Sequence, residues 1–191
     1  MKRPALLSVN RARVSPIEID GRTVMSAIRK RPVEGTVPVT PAGLDGDEQA
    51  DPSLHGGLTK ALYAYPSEHY PFWQTVRAQA RAAGWDEDLP HGAMGENLTI
   101  AGLLESQVWI GDLLKFPDCT LAVTKPRVPC VKFNAAMGFG QAAKLMWANG
   151  WCGFYLAVRE PGTLAAGQAF EVIPGPREVG IGELFQAKAR R

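Results

Sequence analysis

The sequence predicts a mainly β protein of the α+β class, a closed or nearly closed barrel with a few peripheral helices. Three observations carry that expectation. Short runs rich in β-branched and aromatic residues recur along the chain, Gly, Asp and Pro punctuate them, and only three segments place apolar residues at helical spacing.

The first half supplies strands over Ala5–Val9, Val14–Ile19, Thr23–Ile28 and Thr36–Thr40. The Asp20-Gly21 step between the second and third reads as a hairpin turn, so this half is expected to be antiparallel. Ala61–Tyr65 is a further strand. Pro66 then opens a helix of about a dozen residues, on which Tyr70, Trp73, Val76 and Ala80 form the face that packs on the sheet. After Gly84 come strands over Asn97–Ile100, Gln107–Ile110, Asp112–Phe116 and Cys119–Thr124. A second helix over Gln141–Ala148 carries Ala143, Leu145, Met146 and Trp147 and stops at Asn149-Gly150. Strands over Gly153–Val158 and Ala169–Ile173 follow, and Ile181–Arg191 forms a last short helix.

With 191 residues the chain can bury one good core, whereas two equal halves would each be thinly stabilised; one domain over 1–191 is expected. Hydrophobic residues at 46% and charged residues at 21% are too apolar a mix for disorder. No internal repeat or low-complexity tract interrupts it. The segment Ala42–Lys60 has no regular pattern, and long ordered loops in small domains are often functional.

Lys and Arg number 21 against 19 acidic residues, and a net charge of +2 gives no global field to recruit a nucleic-acid polymer or an anionic membrane. Any anion site must be local. The apolar stretch in Met1–Val9 is too short for a signal peptide and no later run reaches membrane-helix length, so a soluble cytoplasmic protein is expected. Cys119, Cys130 and Cys152 form no CxxC pair, which disfavours a disulfide framework and a standard structural zinc site.

The densest chemical signal is Thr124-Lys125-Pro126-Arg127-Val128-Pro129-Cys130-Val131-Lys132-Phe133-Asn134. Cations near a thiol stabilise its thiolate, which a nucleophile or a soft-metal ligand requires, and two prolines stiffen the loop that presents it. The competing interpretation is that Cys130 is a small buried hydrophobe among solvated cations. Spacing alone leaves both open. Cys119 and Cys152 sit in strand contexts and read as packing residues.

A second signal spans Gly43-Leu44-Asp45-Gly46-Asp47 through His55-Gly56-Gly57 to Lys60. Glycine amides can approach an anion, and His55 and Lys60 can donate to phosphate or carbonyl oxygen; a plain turn-rich connector is the alternative. In Gly92-Ala93-Met94-Gly95-Glu96-Asn97-Leu98-Thr99, a glycine-rich turn feeds a strand, and Asn97 can bond a heterocycle edge. His69 beside Glu68 on the first helix can act as a general acid or simply pack. No nucleophile elbow, Walker loop or dinucleotide fingerprint is present.

Taken together, Gly43-Leu44-Asp45-Gly46-Asp47, His55-Gly56-Gly57, Tyr65-Pro66-Ser67-Glu68-His69-Tyr70, Gly95-Glu96-Asn97-Leu98 and Pro126-Arg127-Val128-Pro129-Cys130-Val131-Lys132 resemble the MOSC family. That family is named for the C-terminal domain of molybdenum cofactor sulfurase, and the likeness is to its small stand-alone YiiM-like bacterial branch. The resemblance implies a MOSC-type β-barrel and a molybdenum cofactor (molybdopterin) whose metal is bound by Cys130. It implies that His55, Gly56, Gly57, Lys60, Asn97, Arg127, Lys132 and Asn134 line the cofactor site. It also carries a family-level association with pyridoxal phosphate.

By the same resemblance the activity is reduction of N-hydroxylated compounds such as hydroxylaminopurines, with Cys130 tuning the metal and His69, Glu68 or Asp112 supplying a proton. The alternative is a sulfur or cofactor carrier that uses a Cys130 persulfide or thiolate without turnover; a plain anion-binding domain is a third. Lacking an iron–sulfur or flavin signature, the chain is expected to draw electrons from a separate reductase protein, and to be a monomer or homodimer. Two departures stand out. Relatives of this branch usually carry a further three-helix C-terminal segment where this chain stops at Arg191, and Val131 stands where an aromatic residue is usual.

Overall fold

The structure, a computed structural model, describes residues 3–50 and 56–190. Its strands are β1 (Ala5–Arg11), β2 (Ser15–Ile19), β3 (Arg22–Ser26), β4 (Arg31–Pro32), β5 (Val37–Thr40), β6 (Gly43–Leu44), β7 (Leu62–Pro66), β8 (Leu98–Ala101), β9 (Leu113–Lys115), β10 (Thr120–Pro126), β11 (Phe154–Glu160), β12 (Gly162–Leu164) and β13 (Glu171–Ile173). The α-helices among the described residues are α1 (Tyr70–Gln79), α2 (Val131–Met137), α3 (Ala142–Asn149) and α4 (Ile181–Ala189). The protein is thus mainly β, as the sequence predicts, with four helices among the described residues.

Eight strands form a mixed sheet in the order β13-β9-β10-β11-β7-β8-β1-β4. Strand β7 lies inside it, antiparallel to β11 and parallel to β8. All five of its residues, Leu-Tyr-Ala-Tyr-Pro, are buried, as a strand covered on both faces requires. The parallel β7–β8 pair needs a crossover, and α1 lies in it. No closed barrel is found among the described residues. The segment before β13 meets β1 through the antiparallel bridge Ala5–Ala169 and through backbone bonds from Leu6 N–H to the Gln168 carbonyl, from Gly167 N–H to the Leu6 carbonyl and from Phe170 N–H to the Pro4 carbonyl.

The expected hairpin forms: β2 and β3 pair from Ser15 with Ser26 to Ile19 with Arg22, as a separate two-stranded sheet. Helix α1 follows a 3-10 turn at Ser67–His69, and its Trp73 is fully buried with its indole N–H donating to Tyr65 Oη at 2.6 Å. Several elements differ from the sequence expectation. Gln107–Ile110 is not a strand; it follows a 3-10 turn at Glu105–Gln107 and makes a single bridge from Trp109 to Gly180. Strands β6 and β12 are too short to show a period, and both pair with or flank β5 in a three-stranded sheet. Helix α2 begins at Val131, so Cys130 precedes a helix and is not in mid-loop; Phe133 and Met137 bury one side of it.

No helix among the described residues is long and apolar enough to cross a membrane.

Candidate functional site

The end of β10 determines where the cysteine goes. Pro126 closes that strand, the chain turns through Val128 and Pro129, and Cys130 arrives half-buried at the start of α2. There it lines a cavity together with Lys30, Asp47, Lys60, Asn97, Arg127 and Lys132. Tyr63, Tyr155 and the residues Ser26, Ala27 and Ile28 at the end of β3 and just after it close the wall. A second cleft shares Lys60, Val128, Cys130 and Tyr155 with the first and adds Lys125 and Lys188. The cysteine therefore lines two adjoining spaces, with cations in both.

Arg127 is 6% exposed, and its guanidinium lies 5.2 Å from the Tyr63 ring centroid and 4.7 Å from that of Phe133. Its Nη1 lies 3.5 Å from the Met146 sulfur, its side chain also hydrogen-bonds that of Tyr155, and among the described residues no carboxylate pairs with it. Burial works against its charge, but Tyr63, Tyr155, Cys130 and Tyr65 offset this and raise its pKa. It stays cationic. A buried cation without an acidic partner is costly unless something anionic completes it.

Across the cavity the charges are paired. Lys30 Nζ reaches both oxygens of Asp47, at 2.5 and 2.7 Å, and the two side chains are only 8% and 7% exposed. Asp47 is placed by the Gly43–Asp47 turn. Gly43 has φ +124 and a Cβ there would lie 2.6 Å from the Ala61 carbonyl, so only glycine lets this turn seat against the entry to β7. Burial lowers the Lys30 pKa, with Asp47 and then Glu96 opposing the shift.

Asn97 reaches the cavity as expected, but its side chain serves the protein. Oδ1 accepts from Tyr63 N–H at 3.1 Å, and Nδ2 donates to Asp47 Oδ2 at 2.8 Å and to the Asn10 carbonyl at 3.3 Å. Glu96 beside it is completely buried and accepts from Tyr70 Oη, Thr99 Oγ1, Gly92 N–H and Met94 N–H. This carboxylate holds the Gly92–Gly95 turn shut. Burial raises its pKa against the pull of those donors. Lys132 lines the cavity while its Nζ donates to the Met25 carbonyl at 3.1 Å, tying α2 to the end of the β2–β3 hairpin.

Other expected residues lie elsewhere. His69 does not line the cavity: it is buried, with Nε2 hydrogen-bonded to Glu105 Oε2 at 2.9 Å and its ring stacked on Trp151 at 4.6 Å. Glu105 is completed by Gly153 N–H at 2.7 Å. Asn134 faces away on α2, where its Oδ1 accepts from Ala143 N–H at 2.7 Å and braces α3. Glu68 accepts from Gly102 N–H, and buried Asp112 accepts from Trp109 and Gly175 N–H. Gly57 donates its N–H to Gln49 Oε1 at 3.0 Å, and neither it nor Gly56 is a lining residue. His55 lies outside the described residues.

Conversely, Lys30, Tyr63 and Tyr155 are cavity residues that sequence reasoning missed. Lys30 reads as one cation in the exposed run Arg29-Lys30-Arg31, and the tyrosines read as strand packing. Cys119 and Cys152 are buried, as expected of packing residues. Burial, with Asp118 and Glu160, pushes the Cys119 thiol up to about 11, and burial with Glu105 raises that of Cys152 further. Among the described residues no three of His, Cys, Asp and Glu gather to hold a metal.

Fold and cavity together define a β-rich domain that offers one thiol to a space ringed by cations. Residues 51–171 match the family model described as MOSC domain, and the chain belongs to that family of molybdenum-cofactor-binding domains, in its stand-alone bacterial YiiM-like branch. It is 36% identical to Bacillus subtilis YflK over 90% of this chain and 74% of that one, and 37% identical to Escherichia coli YiiM over 83% and 68%. A protein named reductase from Gibberella moniliformis is 32% identical over 92% of this chain and 30% of its own length. Among solved structures, YiiM from Geobacillus stearothermophilus aligns with TM-score 0.75 at 27% identity, covering 97% of this chain and 84% of that one.

Proposed function

We propose that the chain is a molybdenum-cofactor oxidoreductase that reduces N-hydroxylated small molecules, with Cys130 as the protein's ligand to the metal. The observation that carries this reading is the pairing of Cys130 with Arg127 in one cavity: a soft sulfur donor beside a buried guanidinium that no carboxylate of the described residues neutralises. That donor set fits a metal carried by an anionic organic ligand. Arg127, Lys60 and Lys132 would hold its negative groups through charge-assisted bonds, while Tyr63 and Tyr155 wall the space. When bound, the cofactor supplies two-electron, oxygen-atom-accepting chemistry.

Kinship with a protein named reductase supports redox turnover over mere carriage. The electrons would come from a separate reductase protein. The test is to purify the chain from a cofactor-competent host and assay molybdenum together with reduction of a hydroxylaminopurine by a chemical donor. Metal at near one per chain with turnover, both lost in Cys130→Ser, is expected. A metal-free protein, or an added sulfur on Cys130 without turnover, would overturn the reading, the latter in favour of a carrier.

A further inference from the structure

The N-hydroxyl reduction proposed above consumes two protons, and the histidine and carboxylates that the sequence offered as proton donors all lie outside the cavity. Of the groups inside, the Tyr63 and Tyr155 phenols are made weaker acids by burial, Tyr63 Oη already donates to the Cys152 carbonyl at 2.8 Å, and Arg127 is too basic to release a proton. Glu48 accepts from Val14 N–H, and Lys60 lies where the cavity meets the cleft of Lys125 and Lys188. Lys132 spends a donor on the Met25 carbonyl. Resting on that functional reading, we infer that Lys30 is the catalytic acid, held in the cavity wall by Asp47 so that its third N–H meets the oxygen that leaves the substrate nitrogen.

The geometry is specific. Each Asp47 oxygen takes two donors, Lys30 and Ala12 N–H on Oδ1 and Lys30 and Asn97 Nδ2 on Oδ2. The carboxylate is fully subscribed and has no lone pair well placed to act on substrate; its role is positioning. An ammonium has three hydrogens, and two are directed at Asp47, which leaves one for a ligand. The backbone is fixed as well: Gly92, at φ +89, packs so close that a Cβ there would meet the Lys30 carbonyl at 2.7 Å. Burial also lowers the Lys30 pKa with Asp47 and Glu96 opposing, a direction that makes the ammonium a better acid near neutrality.

Lys30 also lines a second cleft, among Arg29, Arg31 and His91, whose lining does not include Cys130. The balance is R–NH–OH + 2 e⁻ + 2 H⁺ → R–NH₂ + H₂O. The N–O bond breaks, a reductase protein supplies both electrons by way of the cofactor, Lys30 supplies one proton to the oxygen, and solvent supplies the second.

The experiment uses Lys30→Arg and Lys30→Met beside the wild type, all purified loaded, with reduced methyl viologen as donor and 6-hydroxylaminopurine as substrate. Lys30→Arg keeps the cation on Asp47 and guards against a folding artefact. Both variants are expected to retain molybdenum and KM within about threefold while kcat falls about 100-fold or more. A second readout is independent of turnover: acetylation of the Lys30 amine, followed by mass spectrometry, slows when 6-hydroxylaminopurine is present. A loaded variant with kcat within threefold of wild type overturns the assignment, as does an acetylation rate indifferent to the ligand. If the loaded wild type itself does not turn over, the functional reading fails, and protection of Lys30 still supports its contact with the ligand.

Discussion

Replacing Arg127 with methionine separates what this residue does for the fold from what it does for the site. The guanidinium is buried between the Tyr63 and Phe133 rings with a thioether beside it. Two cation–π contacts of about 0.5–2 kcal/mol each favour it, and the desolvation of an unneutralised charge, worth several kcal/mol, opposes it. Methionine fills similar volume without charge, so folding free energy should change by no more than about 2 kcal/mol in either direction. Anion binding should suffer far more: a charge-assisted bond of about 1.5–3 kcal/mol corresponds to about 10- to 150-fold in affinity. Urea unfolding of the cofactor-free chain gives the first quantity, and molybdenum retained per folded chain after dialysis gives the second. Loss of more than about 4 kcal/mol with unchanged metal retention would refute the reasoning and make Arg127 a structural residue.

His69→Ala should leave Glu105 buried with Gly153 N–H as its remaining partner and cost about 3 kcal/mol in urea unfolding, with kcat of the folded fraction unchanged; a selective loss of kcat would instead make His69 catalytic. Thiol labelling at pH 8 should modify Cys130 rapidly and Cys119 and Cys152 only on unfolding, and equal rates at all three would contradict the assignment of roles. The Cys119 thiol, raised from 9.0 to about 11 in the folded chain, stays protonated over a pH range in which the unfolded chain ionises. Stability from this group is therefore complete below pH 9 and lost as pH rises to 11, by at most roughly 3 kcal/mol. Cys119→Ala should show a shallower fall in Tm over that range, and an identical fall would exclude the effect.

The strands were legible because each has enough residues to show a period or an apolar run: β1, β7, β10 and β11 lie within a residue or two of the expected spans. What failed was short or depended on distant partners. Strands β6 and β12 have two and three residues, and α2 is hidden because Val131-Lys132-Phe133-Asn134 starts directly after a Pro-Cys step that reads as loop. In the site, Cys130, Arg127 and Lys132 were visible as a cysteine among cations, and Lys60 as a donor at the end of the glycine-rich loop. Lys30 was not, since nothing in Arg29-Lys30-Arg31 announces that the middle cation is 8% exposed on Asp47 while its neighbours are exposed. His69 drew attention for the converse reason: its partner, Glu105, is remote in sequence and supplied by a 3-10 turn just ahead of the segment expected to be a strand. Asn97 was found at the right place with the wrong work, because a side-chain amide facing a cavity and one bracing two strands look alike in sequence.

The sulfur–metal bond is the claim on which the rest depends, and X-ray absorption at the molybdenum edge measures it directly. The loaded wild type should show one more sulfur neighbour at bonding distance than loaded Cys130→Ser, whose shell should gain an oxygen in its place. Identical sulfur counts in the two proteins would mean that Cys130 does not hold the metal.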